Sequence, residues 1–124
     1  MMDRCFDNYV MTPMQKIVGD SLRAPENRDR FGVEEARAAL DTAYGWLDGV
    51  MRERAWAAAG VFSLADCAAA PSLFYADWVH PITDAFPQAR RYRQRLLARP
   101  SVARAVDEAR SYRPLFPLGA PDRD

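Results

Sequence analysis

Histidine, lysine and cysteine are nearly missing from this chain of 124 residues. His80 is the one histidine, so a Ser-His-Asp triad or a two-histidine metal site would have to be built around that single ring. It stands before Pro81 at the end of a helical pattern, where a cationic side chain ordinarily caps the helix or sits at the surface. The two cysteines, Cys5 and Cys67, lie far apart with no partner spacing, which excludes a disulfide framework and a zinc site and implies a reducing, cytoplasmic setting. No metal ligand set is expected. No G-x-G-x-x-G or G-K-[ST] run occurs, so the backbone cradles that hold nucleotide phosphates are absent. No apolar run approaches the length of a membrane span, and Met1 to Val10 lacks the basic-then-apolar layout of a secretory signal.

Strand signals are also scarce. No alternating β-branched runs are joined by Asn-Gly or Asp-Gly, and Ala, Arg, Leu and Glu dominate instead. What is present is helical periodicity. Phe6, Val10, Met14 and Ile17 recur at intervals of four and three, one apolar face along a helix from Asp3 to Leu22, and Pro13 predicts a kink near Val10. Arg23 to Arg30 reads as a loop. A second helix is expected from about Gly32 to about Ala58 on the stripe Val33, Ala36, Leu40, Ala43, Leu47 and Val50. Gly45 and Gly49 on it are placed to admit a close neighbour, and Gly60 is a plausible stop.

The strongest local signal is Phe62-Ser63-Leu64-Ala65-Asp66-Cys67. Ser63 and Asp66 have the spacing of a capping box, in which each side chain satisfies the other residue's orphan amide at a helix start. Phe62 and Cys67 stand where a hydrophobic staple would close over it. The helix that follows, Leu64 to Val79, is apolar nearly all round, the pattern of a helix at the centre of a bundle, with a bend expected at Pro71. A thiol on that helix should behave as a small hydrophobe, so Cys67 is not read as a nucleophile, and the box accounts for Asp66 without a catalytic role. Two shorter helices follow, from about Pro87 to Ala98 and from about Pro100 to Ala109, each opened by a proline suited to the first turn. The expected architecture is all-α, a bundle of about five helices over residues 1–113, with residues 114–124 an extended tail laid on it through Leu115, Phe116 and Leu118 or partly disordered.

Formal charge is zero, from 17 basic and 17 acidic residues, so the molecule as a whole has no field to steer it toward nucleic acid or an anionic membrane, and neither is expected as a partner. The distribution is uneven. Arg90, Arg91, Arg93, Arg95, Arg99, Arg104, Arg110 and Arg113 crowd one stretch, and are expected to form a solvated helix surface paired with acids from the first half of the chain. Tyr9 and Thr12 share a helix face distinct from the Phe6/Val10/Ile17 stripe, which makes that face the candidate border of a ligand site.

The run Phe62-Ser63-Leu64-Ala65-Asp66-Cys67-Ala68-Ala69-Ala70-Pro71, followed by Leu96-Leu97-Ala98-Arg99-Pro100-Ser101-Val102, resembles the C-terminal helical domain of cytosolic glutathione S-transferases. The opening Phe6-Asp7-Asn8-Tyr9-Val10-Met11-Thr12-Pro13-Met14-Gln15 looks like the first helix of that domain in bacterial members, and Phe116-Pro117-Leu118-Gly119-Ala120-Pro121 resembles their tail. The resemblance implies a bundle that provides one wall of the pocket for a hydrophobic electrophile and part of a homodimer contact. Carried over by position, Tyr9, Met11 and Thr12 are the substrate-wall candidates, and Ser63 and Asp66 are the structural capping box. In the family a separate thioredoxin-like domain holds glutathione and the catalytic residue, and no stretch of this chain resembles it. The resemblance therefore implies a chain inert by itself, with glutathione as cofactor only of a complete protein and the thioredoxin-like domain as its missing partner. The alternative reading is a non-catalytic protein-interaction module of the same fold.

Overall fold

A computed structural model describes residues 2–58 and 60–124, apart from the side chain of Asp3. The described residues form helices and turns without strands: α1 (Met2–Cys5), a π-helical turn (Phe6–Met11), α2 (Thr12–Ser21), α3 (Arg30–Met51), α4 (Leu64–Val79), α5 (Pro87–Ala98) and α6 (Pro100–Ala109). Because α1, the π turn and α2 run on as one rod, the bundle has five helices.

Pro13 explains the π turn. A proline inside an α-helix has no N–H to give and its ring crowds the carbonyl four residues back. Here the chain takes a wider turn just before it: both the amide and, at 2.9 Å, the hydroxyl of Thr12 donate to the Asp7 carbonyl, five residues earlier. The rod stays continuous, and Phe6, Val10, Met14 and Ile17 are all buried on one side of it.

The α2–α3 connection is locked by carboxylates. Asp29 caps α3 by accepting the Gly32 amide at 2.9 Å, receives Lys16 at 2.9 Å, and gives its own amide to the buried Asp20 at 2.7 Å. The bond from Gly32, followed by that from Lys16, holds the Asp29 carboxyl below its usual range. A Cβ at 32 would lie 2.2 Å from Asp29 Oδ2, so a larger residue there would displace the capping carboxylate.

On α3, Ala36, Leu40, Ala43 and Leu47 of the expected stripe are buried, with Val33 and Val50 half-buried against the same core. Two expectations about this helix fail. It ends at Met51, seven residues short of Ala58, and Gly60 lies beyond it in the connection to α4. Nor do its glycines admit a close neighbour: a Cβ on Gly45 would meet the Phe86 ring at an ordinary 3.6 Å, and one on Gly49 would meet nothing within 4 Å.

The early stop has a tertiary cause. The Ala57 amide is claimed by Asp66 at 2.8 Å, the Ala57 carbonyl by Arg54 at 2.9 Å, and the Ala55 carbonyl by Arg95 at 3.1 Å. An amide committed to a distant carboxylate cannot also donate into a helix, and the side chains on these carbonyls hold the stretch in its non-helical course.

Helix α4 runs through the middle of the bundle, packed on the first rod and on α5. It is less uniformly buried than its composition predicts. Ala65, Asp66, Ala69, Ser72, Leu73, Ala76, Asp77 and Val79 are buried, whereas Leu64, Cys67 and Pro71 face outward. Cys67 is thus an exposed thiol and not the buried small hydrophobe expected. Phe62 makes its ring contacts elsewhere, edge-on to Trp56 and beneath the Arg99 guanidinium, which lies 3.7 Å from the ring centre.

Helices α5 and α6 occupy the expected spans. None of the residues of α6 is buried. The tail leaves α6 through a 3₁₀ turn, reverses at Gly119, whose φ of +82° only glycine adopts freely, and returns across α4. Phe116 packs on Tyr75 and Trp78, while Leu115 and Leu118 remain exposed. Asp124 closes the return by pairing with Arg110 and Arg113, and Arg123 pairs with the buried Asp77.

Candidate functional site

Among the places where the described residues combine polar chemistry or open volume, four bear on the candidate site. The first is the start of α4. Asp66 is fully buried, and its carboxylate accepts the Ala57 amide at 2.8 Å, the Ser63 amide at 2.9 Å, the Ser63 hydroxyl at 3.4 Å and the Tyr92 hydroxyl at 2.5 Å. The Asp66 amide itself bonds to the Ser63 carbonyl at 3.1 Å. Burial, followed by the bond to Asp66, raises the Tyr92 phenol far above its ordinary range, so it stays protonated and donates. A carboxylate whose acceptor sites are filled by internal donors is a structural hub.

The second is the end of α4. His80 is half-buried at the C-cap, with Nε2 2.7 Å from Asp41 and its ring stacked on Tyr44 at 6.1 Å. The Tyr44 hydroxyl donates to the His80 carbonyl at 2.8 Å, and Arg37 donates to the Val79 carbonyl at 3.0 Å. Arg37 also lies 3.5 Å from His80 Nδ1, so a neutral ring accepting there carries its proton on Nε2, toward Asp41. These contacts satisfy the last carbonyls of α4 and pin the helix to α3. Among the described residues no three of His, Cys, Asp and Glu group as metal ligands.

The third is an apolar groove of about 700 Å³ between the first rod and α3, walled by Cys5, Tyr9, Pro13, Ala39, Thr42 and Trp46 among others. Tyr9 is 62% exposed and Trp46 43% exposed across it. Of the three wall candidates, only Tyr9 lines this groove. Met11 packs toward the core and Thr12 commits its hydroxyl to the backbone at Asp7. The π turn makes the difference, because its wider pitch spoils the three-residue spacing by which Tyr9 and Thr12 would share a face.

The fourth is a ring-lined groove of about 490 Å³ bounded by α2, α4, α6 and the tail, with Met14, Val18, Phe74, Trp78, Tyr112 and Phe116 in its walls. It continues past Tyr75 and Val106 into a cleft of about 330 Å³ that reaches Phe62 and Cys67. The composition contains these rings, but nothing in their spacing shows that α6 stands off α4 and leaves the space open.

The arginine-rich stretch departs from expectation. Where its members pair, they do so with Asp77, Asp84, Asp107 and Asp124, all in the second half of the chain. No helix among the described residues is long and apolar enough to cross a membrane.

Comparison with known proteins agrees with this architecture. The sequence profile described as "Glutathione S-transferase, C-terminal domain" matches residues 10–100. No curated protein matches the chain. Among solved structures, Gtt2 from Saccharomyces cerevisiae superposes with a TM-score of 0.73 at 23% identity, over 84% of this chain and 53% of that one. A glutathione S-transferase domain-containing protein from Marinobacter aquaeolei VT8 superposes with a TM-score of 0.71 at 20% identity, over 82% of this chain and 53% of its own. The chain therefore spans about half the length of these structural relatives. With the profile covering most of its length, the chain belongs to the glutathione S-transferase C-terminal domain family.

Proposed function

We propose that this chain is the helical half of a glutathione S-transferase, that it supplies the wall against which a hydrophobic electrophile rests and a contact between copies, and that it is inert without a thioredoxin-like half. The observation that carries this reading is the pair of apolar grooves left open on a well-packed bundle. A core with Phe6, Leu40, Tyr44, Leu73 and Tyr92 fully buried does not need to leave ring-lined surface uncovered. Both grooves fall in the size range of small-molecule sites.

Tyr9 is the wall residue of the first groove, with Trp46 opposite. The α4–α6 groove is the face that the absent half covers, and the Ser63–Asp66 box fixes the start of α4 beneath it. The described polar clusters serve structure: Asp66 and His80 are both saturated by internal partners, which leaves neither to lower a thiol pKa. Glutathione would be held by the other half.

The isolated chain mixed with glutathione and a chlorodinitrobenzene should show only the uncatalysed conjugation rate. Turnover at a family-like rate by this chain alone would defeat the proposal. Binding of a fluorescent naphthalene sulfonate should weaken on Tyr9→Ala, and a chain that binds the dye as before would remove Tyr9 from the wall.

A further inference from the structure

Arg91, Arg95 and Arg99 stand four residues apart on α5 and its C-cap, so they form one stripe about 12 Å long. Among the described residues none of the three has a carboxylate partner, unlike Arg90 and Arg93 on either side of Arg91. Two of them are held in place by neutral groups. Arg95 donates to the Ala55 carbonyl at 3.1 Å and lies over the Tyr92 ring at 5.7 Å. Arg99 lies over Phe62 at 3.7 Å and over Trp56 at 5.8 Å. The loop that receives Arg95 and Arg99 adds Arg54, which donates to the Ala57 carbonyl, while Arg52 pairs with Asp48 and Glu53 is the loop's exposed acid. Arg95 and Arg99 have already given up much of their side-chain freedom while keeping their charge, the condition under which an arginine binds an anion with little further ordering cost.

We propose that this stripe docks an acidic segment of a partner protein in extended conformation. The spacing selects it. Alternate residues of an extended chain lie about 6.6 Å apart on one side, close to the roughly 6 Å backbone advance between successive arginines of the stripe, so three alternating carboxylates match the spacing of the three arginines along α5. A single-stranded nucleic acid fits less well because the rings of the patch are already occupied: Phe62 lies under Arg99 and edge-on to Trp56, leaving bases no open ring face to stack on.

The test is fluorescence anisotropy of a labelled peptide of alternating Glu and Ser, titrated with the full chain at low salt. A peptide of equal composition with its Glu residues in one block, labelled oligouridine and phosphatidylserine vesicles serve as competing probes. Arg91→Glu alters a fully exposed side chain and should weaken binding of the alternating peptide about tenfold or more. Arg30→Glu, an exposed arginine at the start of α3, the opposite end of that helix from the loop that receives the stripe, should leave it unchanged. Preference for the alternating over the blocked peptide, lost in the Arg91 variant, supports the docking site. Equal binding of both peptides, indifference to Arg91→Glu, tighter binding of oligouridine or vesicles, or no binding of any probe overturns it.

Discussion

Asp66 concentrates more of this fold's stability than any other polar side chain. A capping aspartate at a solvated helix start is worth about 1 kcal/mol. Asp66 is fully buried and also satisfies the Ala57 amide and the Tyr92 hydroxyl, so its removal strands two buried donors as well as the cap. Asp66→Ala should therefore cost about 3–4 kcal/mol in chemical denaturation. Tyr92→Phe should cost less, and the double variant less than the sum, because the two share one bond. Additive costs would show that Tyr92 and Asp66 act independently. The Ser63-x-x-Asp66 spacing made half of this legible in the sequence, since a capping pair is local. Tyr92 lies 26 residues away and Ala57 belongs to a stretch whose pattern reads as helix, so only the tertiary fold brings them to the same carboxylate.

Helices whose apolar stripe or opening proline is a local feature have the expected boundaries, as α5 and α6 show. The end of α3 is illegible in the sequence because the stretch beyond it is held by long-range bonds, the Ala57 amide by Asp66 and the Ala55 carbonyl by Arg95. Proline in mid-helix is the other non-local case. Pro13 is absorbed by the π turn, but Pro71 sits inside α4 with its ring exposed, where it packs on little and leaves the Cys67 carbonyl without its helical donor. Pro71→Ala should raise stability by about 1 kcal/mol or more, read as a higher denaturation midpoint. An unchanged or lower midpoint would mean that proline at 71 is needed for packing.

The tail obeys a different rule, since charge as well as apolar contact holds it. Bonds from Arg110 and then Arg113 pull the Asp124 carboxyl from 3.8 down to about 2. A carboxyl whose folded pKa is depressed stabilises the folded state above its unfolded pKa and loses that contribution as pH falls through the folded value. The tail should thus stay docked above about pH 4 and release as the pH approaches 2. The Trp78 indole resonance, in contact with Phe116, reports the release. In Asp124→Asn the same resonance should already be shifted at neutral pH and should change less on acidification. A resonance that ignores both would show that the Phe116 contacts and the Arg123–Asp77 pair hold the tail without Asp124.

The molecule as a whole has no net formal charge, and two of its apolar surfaces are grooves open to solvent. Composition foretold the all-α bundle, but it could not show which apolar residues stay outside the core, because a helical stripe marks a face without saying what covers it. Tyr9 and Trp46 face solvent together on the first rod and α3, and a two-fold pairing of copies at the mouth of this groove would shield both rings of each chain while leaving the groove between them as the proposed electrophile wall. Such a contact is driven by apolar burial and not by ion pairs. Light scattering should therefore show a mass that doubles with concentration, persists at about 0.5 M salt, where exposed charges are screened, and returns to the monomer value in Trp46→Glu. Dissociation by salt would instead place the contact on charged surface such as the α5 arginines, and a monomer at every concentration would leave the Tyr9–Trp46 groove to a ligand alone.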